Sequence, residues 1–285
     1  MELITTVANM VRIRPKMAVP FGLVPTMGYL HEGHIALIRK AKEECATVAV
    51  SVFVNPHQFG PNEDLDSYPR DLDRDLRLLK NEGIDIVFHP SANEVYPLGF
   101  DTSVEVGGVA KGLEGTQRPG HFLGVATVVT KLFNIVGPNK AYFGQKDGQQ
   151  VAVVKRLVED LNLRVEIVVV PTVREADGLA KSSRNVYLET EEREAASVLW
   201  RSLSLARDLW SQGIRNAETI RVEMGLILNE EPLASVDYIS IADVVGLQEV
   251  DFIRMPVLVS VAVHIGRIRL IDNIVLDASN EPNLL

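Results

Sequence analysis

Two histidines near the N-terminus, His31 and His34, have the spacing of a phosphate-binding site. They lie between an apolar run at 17–24, typical of a buried strand, and apolar residues at helical spacing at 35–41. The first turn of a helix has unpaired N–H groups and the positive end of the peptide dipole, so it attracts phosphate. Two imidazoles three residues apart lie on one helical face and can donate to the same phosphate group. The alternative is a strand–turn–helix with two surface histidines and no ligand.

Two glycines support the phosphate interpretation of this segment. Gly28 permits a tight turn after the strand, and Gly33 lets a ligand approach the backbone closely. The full segment is Pro25-Thr26-Met27-Gly28-Tyr29-Leu30-His31-Glu32-Gly33-His34.

A second candidate site follows the β-branched run at 47–54. Asn55 and Gln58 are neutral donors and acceptors at the carboxyl end of this predicted strand. Amides of this kind can orient a polar substrate without adding a net charge. An ordinary turn is the alternative, because Asn-Pro marks turns often.

A third candidate, Phe143-Gly144-Gln145-Lys146-Asp147-Gly148-Gln149-Gln150, again lies between a strand and a helix. Gly144 allows backbone approach, and Gln150 points back from the first helical turn. A lysine such as Lys146 can bind a phosphate as a point charge. The alternative is a solvated loop lysine.

The fourth candidate is Asp177-Gly178-Leu179-Ala180-Lys181-Ser182-Ser183-Arg184-Asn185, where two hydroxyls are flanked by two cations. It falls where the character of the sequence changes, so a mobile loop there could close over a ligand. A phosphorylation site or a solvated charge cluster is the alternative. A triphosphate would explain the histidines, the third segment and this loop together, and it leaves Asn55, Gln58 and Gln150 for a second substrate.

The elements that must position these motifs alternate along residues 1–174. Short apolar runs followed by amphipathic helices predict a Rossmann-like parallel sheet with helices on both faces. In such sheets, ligands bind beyond the carboxyl ends of the strands, and the motif at 25–34 falls at one such end. The predicted strands are 17–24, 47–54, 84–89, 141–143 and 164–170, and the predicted helices are 34–45, 70–82, 120–136 and 147–161.

Residues 175–285 predict a smaller C-terminal α+β domain that contributes the phosphate-binding loop and a lid. Thr190 with the acidic residues after it is typical of a capped helix start. The segment from Ala278 onward is expected to fray. The predicted helices are 190–212 and 217–229, and the predicted strands are 236–242, 257–265 and 267–271.

Composition excludes several classes of function. The formal net charge is −9 over 285 residues, which argues against nucleic acid as a main partner. One cysteine, Cys45, leaves no internal disulfide or cysteine-based zinc site, and we interpret it as a small buried helix residue rather than a nucleophile. No signal peptide or uninterrupted apolar span is evident, so we expect a cytoplasmic protein without a membrane partner.

The motifs together resemble one enzyme family. The pattern His31-x-Gly33-His34 is similar to the nucleotide-binding signature of the class I adenylate-forming and nucleotidyl-transferring superfamily. With Val52-Phe53-Val54-Asn55-Pro56-x-Gln58-Phe59, Tyr68-Pro69-Arg70 and the third and fourth segments, most of the chain resembles the pantothenate synthetase (pantoate–β-alanine ligase) family. Position 57 is His where the family often has Met, and position 148 is Gly where bulkier residues are common.

This resemblance implies ATP-dependent condensation of pantoate with β-alanine through a pantoyl adenylate, with release of pyrophosphate and AMP. It implies catalytic roles for His31, His34, Lys146, Ser182, Ser183 and Arg184. The implied ATP-binding residues are Met27, Gly28, Tyr29, Leu30, His31, Glu32, Gly33, His34, Gly144, Gln145, Lys146, Asp147, Val173, Lys181, Ser182, Ser183 and Arg184. The implied substrate-binding residues are Gln58, Gln150, Asn55, Met27, Val125, Val128 and Val129, although the valines are equally explained as helix core.

The resemblance also implies Mg²⁺ on the ATP phosphates and a homodimer. Asp75 is a candidate outer-shell partner of the metal ion, with surface salt-bridging as the alternative. Two other functions stay open at this point. One is another small-molecule nucleotidyltransferase, such as a phosphopantetheine adenylyltransferase, and the other is a catalytically silent nucleotide-binding protein.

Overall fold

The computed structural model describes residues 1–61, 63–254, 256–277 and 285. Its contacts divide the chain into two compact units. The first comprises Met1–Gly144 and Val153–Val170, and the second comprises Gln145–Ala152 and Pro171–Leu285. The boundary expected from the sequence, 174/175, lies close to the last of these divisions and stays a prediction. The expectation of a frayed segment from Ala278 falls on 278–284, outside the described residues.

The first unit is built on a parallel sheet, as the alternating sequence pattern predicted. Among the described residues its strands are ordered β1-β4-β3-β2-β5-β6, and every neighbouring pair is parallel. The chain runs outward from β2 to one side, then returns to add β5 and β6 on the other. The strands are β1 (Glu2–Ile4), β2 (Phe21–Thr26), β3 (Thr47–Val52), β4 (Ile86–Phe88), β5 (Lys140–Gly144) and β6 (Glu166–Val170).

This strand order puts a topological switch point between β2 and β5, where ligands bind in doubly wound sheets. The six residues of β3, Thr-Val-Ala-Val-Ser-Val, are all buried, as expected of a β-branched strand covered on both faces. The helices are α1 (Val7–Ile13), α2 (Glu32–Glu44), α3 (Leu72–Asn81), α4 (Ala92–Val95), α5 (Glu114–Gln117), α6 (His121–Val136) and α7 (Gly148–Asp160), of which α7 belongs to this unit from Val153 onward.

The N-terminal residues differ from the sequence-based expectation. The strand expected at 17–24 runs instead over Phe21–Thr26, because Pro15 lies in a 3₁₀ turn at Arg14–Lys16 and Pro20 precedes the strand. Neither β1 nor α1 was predicted from the sequence. Both are short, and a three-residue strand gives too little periodicity to detect.

The second unit has an antiparallel sheet with two long helices packed on it. Its strands, in the order β7-β8-β9, are β7 (Ala234–Asp243), β8 (Val257–Ile265) and β9 (Ile268–Leu276). Leu199, Leu203, Ile220, Val259 and Val261 are among the buried residues of its core. The α+β prediction for this region is therefore confirmed. Its helices are α8 (Thr190–Ala195), α9 (Val198–Ser211) and α10 (Ala217–Asn229).

The single helix predicted over 190–212 is wrong, since α8 and α9 are separate. The backbone N–H groups of Ser197 and Leu199 bond three residues back, and the Ser197 hydroxyl donates to the Glu194 carbonyl. A serine hydroxyl that bonds to a nearby backbone carbonyl competes with the hydrogen bonds of the helix. The apolar periodicity continues across the break and therefore does not predict it. The cap of α8 is Glu189 and not Thr190, in a capping box with Glu192.

Across the described residues, no helix has the length and apolar character needed to cross a membrane.

Candidate active site

The turn after β2 carries the first motif to the N-terminus of α2. Gly28 and Tyr29 both have left-handed backbone angles, with φ of +85° and +50°. Glycine adopts this region freely, whereas a tyrosine there is uncommon and must be held by its surroundings. The chain therefore reverses within two residues of the strand and presents His31 at the cap of the helix.

The two histidines form a capping box on α2. The His31 Nδ1 accepts a hydrogen bond from the Gly33 N–H at 3.1 Å, and the His34 Nδ1 accepts from the His31 N–H at 3.3 Å. The ring centroids are 4.1 Å apart. A neutral imidazole whose Nδ1 accepts has its proton on Nε2. Both rings are thus oriented as Nε2–H donors beside the positive end of a helix dipole, which is an arrangement for binding an anion.

Asp75, on α3, holds this turn in place. Its carboxylate oxygens accept the N–H groups of Tyr29 at 2.7 Å and of Leu30 at 2.8 Å. The residue is only 1% exposed, and burial raises the pKa of Asp75 above its ordinary value although the two backbone bonds favour the charged form. The expected salt bridge is present, because the Arg74 guanidinium lies 3.5 Å from the Asp75 carboxylate, but Asp75 is buried and not at the surface. Its two shorter contacts are with the backbone of the histidine motif, which the carboxylate orients.

A cavity of about 640 Å³ opens beside the same turn. Met27, Gly28 and Tyr29 line it together with Asp75 and with residues that follow β3 and β4, such as Phe53 and His89. The cavity therefore lies at the carboxyl ends of three neighbouring strands of the first unit, in agreement with the general rule for parallel sheets.

The second motif is joined to the first by hydrogen bonds between side chains. The Gln58 Nε2 donates to the Met27 sulfur at 3.1 Å, and the Asn55 Nδ2 donates to the Gln58 Oε1 at 3.0 Å. Asn55 is 1% exposed and Gln58 9%. Buried amides that are hydrogen-bonded in this way have a defined orientation. The polar side chains of the 55–58 turn are therefore ordered.

Helix α6 packs directly on this turn. A Cβ at Gly124 would lie 2.1 Å from the His57 carbonyl oxygen, so only glycine permits the approach. His121 Nδ1 lies 2.8 Å from the Gln58 carbonyl oxygen and must donate to it, while its Nε2 faces the Arg118 guanidinium at 3.2 Å. Burial, aided by that guanidinium, lowers the pKa of His121 to about 4, so the ring is neutral. The predicted substrate-binding valines, Val125, Val128 and Val129, are buried in the same helix.

In the second unit, Asn273 of β9 holds the turn that contains Lys146. The Asn273 Nδ2 donates to the carbonyl oxygens of Gln145 at 3.0 Å and Lys146 at 2.8 Å, and its Oδ1 accepts from the Gln145 amide at 2.9 Å. The Lys146 Nζ is 3.4 Å from the Asp147 carboxylate. A Cβ on Gly148 would come within 3.2 Å of the Asn273 side chain. Glycine at position 148 therefore leaves room for the Asn273 side chain.

The neighbouring residue of β9, Asp272, holds the loop that contains the fourth motif. Asp272 is 2% exposed and forms a bidentate ion pair with Arg174, whose two terminal guanidinium nitrogens lie 2.5 and 3.0 Å from the carboxylate oxygens. Within the loop, the Lys181 Nζ is 2.5 Å from Glu175, and the Lys181 N–H donates to the Val173 carbonyl. The Ser182 hydroxyl accepts the Arg184 N–H at 3.3 Å and begins a 3₁₀ turn that includes Ser183.

The structure thus brings predicted site residues together within each unit. In the first unit Met27 touches Gln58, and Gln58 touches Asn55. In the second unit, adjacent residues of β9 hold both the 145–147 turn and the 174–185 loop. Sequence reasoning missed Tyr96, His121, Gly124, Asp272 and Asn273. A signal existed for the last two, because Asp-Asn interrupts a largely apolar strand, which is unusual unless both side chains are paired.

The described residues contain no group of three or more histidine, cysteine, aspartate or glutamate side chains that could hold a metal ion. Asp75, the sequence-based candidate for an outer-shell role, has its carboxylate bound to two backbone N–H groups.

Comparison with known families and proteins gives matches over nearly the whole chain. The family model described as pantoate-beta-alanine ligase matches residues 2–275. A pantothenate synthetase from Roseiflexus sp. (strain RS-1) is 55% identical over 278 residues, which cover 98% of this chain and 100% of the relative. One from Chloroflexus aurantiacus (strain J-10-fl) is 55% identical over 282 residues, covering 99% and 100%.

Solved structures agree with these relatives. The crystal structure of pantothenate synthetase from Thermus thermophilus is similar with a TM-score of 0.92 and 47% identity, over 96% of this chain and 99% of that one. Pantoate-beta-alanine ligase from Francisella tularensis, complexed with beta-gamma ATP and beta-alanine, is similar with a TM-score of 0.80 and 36% identity, over 99% and 100%.

Proposed function

Because this chain belongs to the pantoate–β-alanine ligase family, we propose that it joins pantoate to β-alanine at the expense of ATP. The observation that supports this most directly is the family match over residues 2–275, in which every sequence motif of the proposed site falls. The products are pantothenate, AMP and pyrophosphate, so the reaction belongs to pantothenate biosynthesis.

In the first half-reaction, a carboxylate oxygen of pantoate attacks the α-phosphorus of ATP. The new P–O bond gives pantoyl adenylate, and the bond to the β-phosphate oxygen breaks to release pyrophosphate. No side chain needs to act as a nucleophile. The protein contributes by holding the reactants in line and by stabilising the negative charge that moves onto the leaving group.

The Nε2–H donors of His31 and His34 are proposed to bind phosphate oxygens during this transfer. They act with the N-terminus of α2, whose dipole adds to the same field. The same role is proposed for Lys146 and for Lys181, Ser182, Ser183 and Arg184. The Lys181 ammonium is paired with Glu175 and has further N–H donors for a phosphate. Asp147 is assigned to the ribose or to nearby backbone. Gly144, Gln145 and Val173 complete the proposed ATP contacts with the residues of the 27–34 turn.

Gln58 and Gln150 are proposed to bind the hydroxyl and carboxylate groups of pantoate. Asn55 supports Gln58, as the hydrogen bond between them indicates. Met27 and the valines at 125, 128 and 129 are assigned to the two methyl groups of the acid, since burial against apolar side chains stabilises such groups.

In the second half-reaction, the amine of β-alanine attacks the acyl carbon of pantoyl adenylate. An amide bond forms, the bond between the acyl carbon and the AMP oxygen breaks, and the amine loses a proton. Mg²⁺ is proposed to enter with ATP, because its ordinary ligands in such reactions are phosphate oxygens and waters.

The test is a coupled assay for AMP in which pantoate and β-alanine are varied independently. We expect AMP only when both are supplied with ATP and Mg²⁺. Pyrophosphate release from a phosphorylated pantetheine, or an absence of any turnover, would contradict the proposal.

A homodimer is also proposed, on the family resemblance alone, and a cytoplasmic location is proposed as expected from the sequence. Light scattering checks the first, since a dimer has twice the 31.5 kDa mass of one chain. A mass of one chain at working concentration would contradict it.

A further inference from the structure

Tyr96 lies outside every sequence motif, yet its hydroxyl is linked to the proposed acid-binding amide. The residue follows α4, and its O–H donates to the Asn55 Oδ1 at 2.8 Å. Asn55 in turn donates to Gln58. Tyr96 is therefore connected, through Asn55, to the side chain that is proposed to bind the acid substrate.

The orientation of the Asn55 amide is determined by its surroundings. Its Nδ2 donates to Gln58 Oε1 at 3.0 Å and to the carbonyl of Gly124 at 3.2 Å, and a carbonyl can only accept. Its Oδ1 accepts the backbone N–H of His57 at 3.3 Å, which can only donate, and the Tyr96 O–H. All four hydrogen-bonding positions of the amide are therefore occupied, and exchanging its oxygen and nitrogen would oppose like groups at both backbone partners.

This orientation dictates that of Gln58. The Gln58 Oε1 must face the Asn55 donor, so its Nε2 faces Met27, where it donates to the thioether sulfur at 3.1 Å. A thioether is a weak acceptor. A hydroxyl or carboxylate oxygen of the substrate would be a stronger acceptor than this sulfur, and a hydrogen bond to a charged carboxylate is about twice as strong as a neutral one.

The tyrosine ring is itself held by its neighbours. His57 stacks on it with the ring centroids 4.0 Å apart, and Phe100 packs edge-on at 5.1 Å. The Lys131 ammonium lies 5.7 Å from the same ring. Burial of the phenol raises its pKa, so the hydroxyl keeps its proton and acts as a donor. The shorter of the two hydrogen bonds to Asn55 Oδ1 is thus donated by the Tyr96 hydroxyl, which is protonated and held in place.

We propose that Tyr96 is a positioning residue that acts through Asn55, so that Gln58 presents an N–H donor to the acid substrate. This rests on the proposed function, since the acid is the substrate that it names. The series of hydrogen bonds from Tyr96 through Asn55 to Gln58, the relay, favours a substrate that has an acceptor oxygen next to Gln58 Nε2. It disfavours a substrate that has a donor at that position.

The principal test is Tyr96→Phe, which keeps the stacked ring and removes only the hydroxyl. We expect KM for pantoate to rise about three- to tenfold, the range of one neutral hydrogen bond, with KM for ATP and the melting temperature close to those of the native chain. The matched control is Tyr142→Phe, which removes another tyrosine hydroxyl of the same unit, bonded to Glu44 and Cys45. It should leave KM for pantoate unchanged.

Two further variants separate positioning from general stability. In a Gln58→Ala background, Tyr96→Phe should cause no additional rise in KM for pantoate, because the amide that it orients is gone. Gln58→Glu should impair pantoate use more than Gln58→Ala, since the group that faces the acid becomes a second carboxylate.

The relay is overturned by a Tyr96→Phe enzyme with native KM for pantoate, by an equal rise with and without Gln58, or by a Gln58→Glu enzyme that uses pantoate well. These outcomes differ from failure of the proposed function, in which the native chain itself makes no AMP from ATP, pantoate and β-alanine. Calorimetric titration with pantoate alone gives the same comparison without turnover.

Discussion

At the residue scale, the proposed chemistry depends on N–H donors that neighbouring hydrogen bonds hold in a fixed orientation. The hydrogen bonds that Nδ1 accepts orient His31 and His34 so that Nε2 is the donor. In the same way, Asn55 donates to Gln58 Oε1, so that Gln58 Nε2 is left as the donor. Donors fixed before the substrate arrives need no reorganisation when charge develops, which is the main source of electrostatic catalysis. The residues that orient the donors are therefore as testable as the donors themselves.

The first prediction concerns His34. We expect His34→Ala to lower the rate of adenylate formation by about 10²- to 10³-fold, the usual cost of one charge-stabilising donor. ATP–pyrophosphate exchange in the presence of pantoate measures this step directly. His34→Asn is the comparison variant, because its side chain can still accept the His31 N–H but lacks the Nε2–H. Equal losses in both variants assign the effect to the donor, and near-native exchange in either would refute it.

The second prediction concerns Asp75. In Asp75→Asn the one remaining oxygen accepts one of the two backbone N–H groups, and the NH₂ group faces the other, which loses its acceptor. We expect a loss of about 1–3 kcal/mol in the free energy of unfolding, the cost of a buried unsatisfied donor, and a higher KM for ATP. Urea unfolding and initial rates measure the two effects. Asp73→Asn, at another acidic position in the first turn of α3, is the control. Native stability and KM in Asp75→Asn would show that the carboxylate does not hold the turn.

At the scale of elements, the site depends on how closely α6 approaches the turn at 55–58. Gly124 lets the helix backbone lie against His57, and the Gly124 carbonyl then accepts from Asn55. His121, one turn earlier, donates to the Gln58 carbonyl. Helix α6 therefore holds both the backbone of the 55–58 turn and the side-chain amide of Asn55.

The third prediction is that Gly124→Ala disrupts this packing. An alanine Cβ would lie within 2.4 Å of two backbone atoms of His57, so the helix or the turn must move. Overpacking of this kind typically costs about 1–3 kcal/mol. We expect lower stability and a raised KM for pantoate, measured by urea unfolding and initial rates.

Gly225→Ala on α10 is the matched control for Gly124→Ala. A Cβ there meets only the Ile239 side chain at 3.6 Å, an ordinary contact. That change should stabilise the chain by up to about 1 kcal/mol through helix propensity. If Gly124→Ala behaved in the same way, the close approach of α6 would not be needed.

At the scale of the whole molecule, stability depends on groups that folding keeps neutral. The His121 ring is buried, and burial with the nearby Arg118 lowers its pKa from 6.5 to about 4. Between these values the unfolded chain binds a proton at this histidine that the folded chain does not. The free energy of unfolding therefore rises with pH in this range, and the contribution is lost as pH falls from 6.5 toward 4.

The fourth prediction follows from this linkage. We expect His121 to account for a loss of roughly 3 kcal/mol in the free energy of unfolding between pH 6.5 and 4. His121→Asn keeps a donor for the Gln58 carbonyl but does not titrate. Its unfolding free energy, measured by urea denaturation across this range, should depend less steeply on pH than that of the native chain. Parallel curves for the two proteins would contradict the assignment.

The sequence by itself determined the sheet class, the positions of the four motifs along the chain and the family. Apolar periodicity is a local property, and the histidine, amide and serine–arginine motifs are short, so both are visible along the chain. The break between α8 and α9 was not predicted, because the local hydrogen bonds of Ser197 and Leu199 that accompany it do not change the apolar periodicity.

Only the tertiary structure decided which residues orient the donors. Asp75, Tyr96 and Gly124 lie 45, 41 and 69 positions from the residues that they hold. Asp272 and Asn273 reach their partners across longer separations. Hydrogen bonds and close packing between distant segments leave no periodic trace in sequence, because they depend on distances that exist only once the strands and helices have assembled.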